Sequence, residues 1–105
     1  MSEEKGITLP RLDGLRPTLE STALKVMEEA GELGAAIGKV RGMSGEAGRW
    51  PEREAMDHVC AELLDVAQTA VTMMFVLEAD YELDARAMLH EHMKKLKEKG
   101  YLSIV

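Results

Sequence analysis

The sequence predicts an all-α domain, and three observations carry that prediction. Apolar residues recur at alternating spacings of three and four through two long segments. Proline and glycine cluster where those segments would begin or end. No run of alternating apolar and polar residues stands out, and the tail YLSIV is too short to read as a strand. At 105 residues the chain has room for one domain.

Pro10, Gly14 and Pro17 keep residues 1–17 irregular, because the residue before a proline is pushed away from helical backbone. Thr18 is placed to cap a first helix that runs to near Gly42, and the domain proper is expected over 18–105. The stripe of this helix is Leu19, Ala23, Val26, Ala30, Leu33, Ile37 and Val40. Gly31, Gly34 and Gly38 lie beside it, each costing about 1 kcal/mol relative to alanine. Close approach of another helix would explain that cost.

The stretch Gly42 to Pro51, GMSGEAGRWP, reads as a loop, with Pro51 in the first turn of a second helix reaching about Ala79. Its stripe is Met56, Val59, Leu63, Val66, Ala70, Met73 and Leu77. Val71, Met74 and Phe75 add apolar surface on other faces, more than three helices can enclose. The expectation is therefore a helical hairpin plus a third helix, Asp84 to Lys99, in a homo-oligomer (dimer or tetramer) with a shared four-helix core.

Acidic residues outnumber basic ones 19 to 13, giving a net charge of −6, which argues against a nucleic-acid polymer as partner. The single cysteine, Cys60, excludes an internal disulfide and fits a reducing compartment. It is expected to face a buried side and to be inert. MSEEKGITLP has no apolar leader, and the greasy stretch Val66 to Leu77 is short and interrupted by Gln68, Thr69 and Thr72. A cytoplasmic protein without a membrane partner is expected.

The chemistry lies in the acids. Glu28, Glu29 and Glu32 fall mid-helix in EEAGE, and Glu62 and Asp65 in ELLD. Residues three apart share a helix face, so Glu29 pairs with Glu32 and Glu62 with Asp65, each pair at the edge of its stripe. Antiparallel packing would bring the four carboxylates together. Such a cluster calls for cations, and all-oxygen ligands favour Mg²⁺ or Mn²⁺ over zinc. A solvated acidic face on a purely structural oligomerisation module is the competing reading.

In order and spacing, Glu28-Glu29-Ala30-Gly31-Glu32 followed by Glu62-Leu63-Leu64-Asp65 resembles the signature of the MazG-like all-α nucleotide pyrophosphohydrolases. The likeness extends through LKVMEEAGELGAAIGK, AELLDVAQTAV and HMKKLKEKGYL, roughly Pro17 to Leu102. It implies Mg²⁺-dependent cleavage of a nucleoside triphosphate between the α and β phosphates, releasing pyrophosphate, in a nucleotide-pool house-cleaning role. Transferred residue by residue, it makes Glu29, Glu32, Glu62 and Asp65 metal ligands. Glu29 or Glu32 would serve as base and Glu28 would orient. A phosphoribosyl-ATP pyrophosphohydrolase, with related acidic motifs, is the near alternative. Thr72 stands where many relatives carry Asn, and Lys95-Leu96 with Lys99 stands where relatives have Lys-Phe and Arg.

Lys95 and Lys99 share a face and are candidates for phosphate, as is Lys25 one turn before Glu29. Trp50 is a candidate to stack on a base. His58 is expected to pair with Glu62. Asp80 to Glu91 lacks the glycine of a calcium loop, and the loop glycines lack the Gly-Lys-Ser/Thr ending of a P-loop. No E-x-x-H pair supports a di-iron bundle.

Overall fold

A computed structural model describes residues 3–41 and 52–103. Three helices and no strand occur among them: α1 (Leu19–Val40), α2 (Glu52–Tyr81) and α3 (Ala85–Glu98). The predicted loop, Trp50 and Pro51 lie outside the described residues.

The cap of the first helix is the one the sequence marks. Thr18 Oγ1 accepts from the Ser21 amide at 3.0 Å and Ser21 Oγ accepts from the Thr18 amide at 2.8 Å, a reciprocal box that starts α1. Asp84 caps α3 through the Ala87 amide. Gly100, at φ 78°, ends it: the Gly100 amide donates to the Lys97 carbonyl and the Tyr101 amide to the Leu96 carbonyl. That pattern is a Schellman motif, and its left-handed position suits glycine.

α1 and α2 pack along a seam whose register differs from the predicted stripes. On α1 the buried residues are Thr22, Glu29 and Ala36, seven apart. On α2, Ala55 and Val76 are buried, with Glu62 and Thr69 half-buried between them at the same spacing. Ala30, Ile37, Met56 and Leu63, all expected inside, are exposed. Alternate stripe positions are thus displaced by one residue, a rotation that puts a glutamate of each helix into the seam instead of at its edge. In an antiparallel hairpin the pairs Thr22/Thr69, Glu29/Glu62 and Ala36/Ala55 fall level with one another.

The irregular N-terminal segment lies back along α2. The Pro10 carbonyl accepts from Gln68 Nε2 at 3.0 Å, and the Arg11 guanidinium sits 5.3 Å from the centre of the Phe75 ring. Part of the extra apolar face of α2 is therefore covered by the chain itself. Met74 stays 47% exposed.

Other expectations are corrected. Cys60 is exposed. Among the described residues no neighbouring side chain or other helix comes within 4 Å of where a Cβ would stand on Gly31 or Gly34, so neither α2 nor α3 explains them. By length and composition α2 is long and apolar enough to cross a membrane. Its middle nevertheless carries Glu62 and Asp65, and one face packs on α1. The radius of gyration, 17.1 Å, exceeds the roughly 13 Å of a compact chain this long. α3 contributes no buried residue.

Candidate metal centre and active site

The hairpin brings the acidic residues of both helices together. Glu29, Glu62 and Asp65 each offer an oxygen, all within 4.8 Å of one another, and Glu28, Glu29 and Glu32 form a second such group. Glu29 belongs to both. Glu28, expected to point aside, is close enough to its neighbours to join them.

The two seam glutamates are held alike. Lys25 Nζ lies 3.2 Å from Glu29 Oε1, and His58 Nε2 lies 3.7 Å from Glu62 Oε1, each from one turn earlier in its helix. Lys25 also reaches Glu28 at 3.4 Å. The other oxygens, Glu29 Oε2 and Glu62 Oε2, are buried and accept no hydrogen bond from any described residue. Leaving such an acceptor unsatisfied costs about 1–3 kcal/mol, more when the group is charged. Two buried acceptors without donors, in one three-carboxylate group, fit a hard divalent cation with oxygen ligands.

Charge repulsion is legible in Glu32. Its carboxyl is raised above the ordinary range, first by the charge of Glu29, then by desolvation and by the charge of Glu62. Lys25 is shifted up as well, chiefly by its hydrogen bond to Glu29 and by the charge of Glu28.

The model of the MazG nucleotide pyrophosphohydrolase domain matches residues 17–100. The chain belongs to that family. No curated protein and no solved structure matches the chain significantly. The MazG assignment supports nucleotide pyrophosphohydrolase activity in a family that typically depends on metal, it agrees with the all-α architecture, and the acidic groups above could hold a metal ion.

Beside the carboxylates of this MazG domain opens a cavity of about 460 Å³, with Glu29, Asp65 and Lys25 on one side. Leu12, Leu15, Arg16 and Pro17 close it from the N-terminal segment, and Gln68, Thr69 and Thr72 line it from α2. Lys95 and Lys99 sit exposed at the end of α3 and are not among its lining residues. Trp50 lies outside the described residues. Arg16 and Gln68 went unread in the sequence. Gln68 had a signal: a carboxamide in the apolar half of a seam helix, where an unbonded polar group is costly.

Proposed function

We propose that the protein is a cytoplasmic, Mg²⁺-dependent nucleoside triphosphate pyrophosphohydrolase, acting on a common or damaged deoxynucleotide in nucleotide-pool house-cleaning. The observation that carries this reading is the pair of orphaned buried oxygens, Glu29 Oε2 and Glu62 Oε2, in a carboxylate group whose Glu29 and Asp65 also line a ligand-sized cavity.

Glu29, Glu62 and Asp65 would hold the cation, with Glu32 completing the ligand set from the adjoining group. When bound, the cation supplies charge neutralisation for the polyphosphate and acidifies the attacking water. Glu32, the exposed member of the adjoining carboxylate group, accepts the water's proton at a carboxylate oxygen. The water oxygen bonds to the α phosphorus, the bond to the bridging oxygen of the β phosphate breaks, and pyrophosphate leaves with the electron pair. Glu28 keeps Lys25 in place, and Lys25 lines the cavity beside Glu29 and Asp65, where it would meet phosphate oxygens.

Homo-oligomerisation belongs to the same reading. The outer face of α1 carries Leu24 and Met27, 68% and 72% exposed, beside Gly31 and Gly34 with open space over both. α3 adds exposed Met88 and Leu89. Apolar surface of that extent on a small chain supports a second copy as its cover. In such an assembly Lys95 and Lys99, exposed and away from the cavity of their own chain, would serve the site of a neighbouring copy.

The test is a panel of triphosphates with Mg²⁺, in which phosphate and pyrophosphate are detected separately. Pyrophosphate is expected. Orthophosphate alone would mean that the β–γ bond is cut and would overturn the assignment. Light scattering should give a multiple of 11.6 kDa, and Met27→Glu should lower it. A wild-type monomer at micromolar concentration would remove the oligomer from the proposal.

A further inference from the structure

The cavity beside the carboxylates contains more polar residues than it has polar atoms to offer. Thr22 Oγ1 lies 2.8 Å from the Thr18 carbonyl and 3.0 Å from that of Leu19, and Thr69 Oγ1 donates to the Val66 carbonyl at 2.8 Å. Ser21 Oγ is taken up in the cap of α1. These hydroxyls are turned back onto their own helices, so what the two threonines present to a ligand is largely methyl surface. With Leu12, Leu15 and Pro17 opposite, the cavity suits a flat apolar ring.

Among the uncharged side chains of the lining, Gln68 keeps a carbonyl acceptor without a partner among the described residues. Its Nε2 donates to the Pro10 carbonyl at 3.0 Å and to Thr72 Oγ1 at 3.3 Å. A carbonyl only accepts, so the contact with Pro10 decides which end of the carboxamide is nitrogen. Both amide hydrogens are thereby used. Oε1 receives no hydrogen bond from any described residue, and it belongs to a residue that lines the cavity.

We infer, resting on the nucleotide reading above, that this cavity takes the nucleobase and that Gln68 determines its specificity by offering Oε1 to an exocyclic amino group. Cytosine and adenine nucleotides are selected over their deaminated counterparts. The discrimination has an attractive and a repulsive half. An amino group donates to Oε1. A keto oxygen in the same place meets another acceptor, and the amide cannot rotate to accommodate it without breaking its bond to Pro10. Sites built to bond one hydrogen-bonding group reject an analogue strongly when the partner atom is left unpaired.

The experiment compares kcat/KM for dCTP against dUTP and for dATP against dITP, each with Mg²⁺ and pyrophosphate detection. The wild type should favour the amino member of each pair by about tenfold or more. Gln68→Met, which keeps the length and removes both polar atoms, should bring each pair within about threefold. Equal wild-type rates within pairs, or a preference for the keto members, would overturn the inference. So would a Gln68→Met enzyme that keeps the preference, or one that loses all four nucleotides equally, since that would mark Gln68 as a clasp for the N-terminal segment alone. The wild-type ratios decide by themselves should the variant fail to fold. A wild type that releases pyrophosphate from none of the four would strike the functional reading itself, and this inference with it.

Discussion

Two neighbouring levels of the same helix seam treat polar side chains in opposite ways. At the upper level Thr22 and Thr69 sit in the interface with their hydroxyls bonded to carbonyls of their own helices. Two turns along, Glu29 and Glu62 occupy the equivalent positions, and each keeps a buried oxygen that nothing satisfies. Both levels depart from the apolar pattern of a helix seam. Only the second leaves free energy to be recovered by a ligand, because an unmet buried acceptor stays costly until something binds it. Polarity in a seam does not mark a site; unsatisfied polarity does.

The comparison breaks first, and most visibly, in turnover. Glu29→Gln or Asp65→Asn should lower Mg²⁺-dependent pyrophosphate release by about a hundredfold to a thousandfold, the scale of losing one interaction that stabilises charge in the transition state. Thr69→Val should leave the Mg²⁺ affinity within about threefold, since its hydroxyl already has a partner. Calorimetric titration of the three proteins separates the levels. A Thr69→Val protein that loses Mg²⁺ as completely as Glu29→Gln would show that both levels belong to the metal site.

Stability without metal tests the same contrast with the opposite sign. Replacing Glu29 by leucine removes a buried charge with an orphaned oxygen, and should stabilise the metal-free protein by about 1–3 kcal/mol. Thr69→Val should change stability by less than about 1 kcal/mol. Saturating Mg²⁺ should reverse the ranking: at a hundredfold excess over its Kd, it adds about 2.7 kcal/mol to the wild type and nothing to Glu29→Leu. Denaturant melts with and without Mg²⁺ measure both. A metal-free Glu29→Leu protein less stable than wild type would mean that Lys25 alone satisfies the carboxylate.

The rotation of the seam explains how far the sequence could be read. The cap at Thr18 and the three helices depend on local backbone chemistry, which short segments carry in full. The acidic residues were likewise visible, because their spacing alone puts them on shared faces. Their depth was not. Choosing the most apolar stripe places Ala30 and Leu63 inside and the acids at the edge, whereas the helices turn by one residue and bury Glu29. Apolar patterning assumes that hydrophobic burial sets the register, and a site that requires carboxylates in the interface violates that assumption. The N-terminal wall was hidden for another reason. PRLDGLRP has no periodicity, and its position rests on long-range contacts to Gln68 and Phe75. Gly31 and Gly34 were read as points of close approach, but among the described residues the space over them is open.

The smallest effect concerns a carboxylate beside the buried pair. Glu32 is raised chiefly by the charge of Glu29, so in the folded state its ionised form is disfavoured relative to the unfolded chain. For an acid shifted upward, that penalty is present at pH values above the folded pKa. It fades as pH falls through the folded value and is gone below the unfolded one, about 4.3. Glu32→Gln should therefore raise the melting temperature of the metal-free protein at pH 7, and the gain should shrink to nothing as the pH is lowered toward 4. Mg²⁺ should erase the gain at pH 7 as well, since the cation screens the repulsion that Glu32 feels from Glu29. Melting curves from pH 4 to pH 8, with and without Mg²⁺, decide the matter. A gain that persists at low pH would assign the effect of Glu32 to helix propensity and remove it from the electrostatics of the carboxylate cluster.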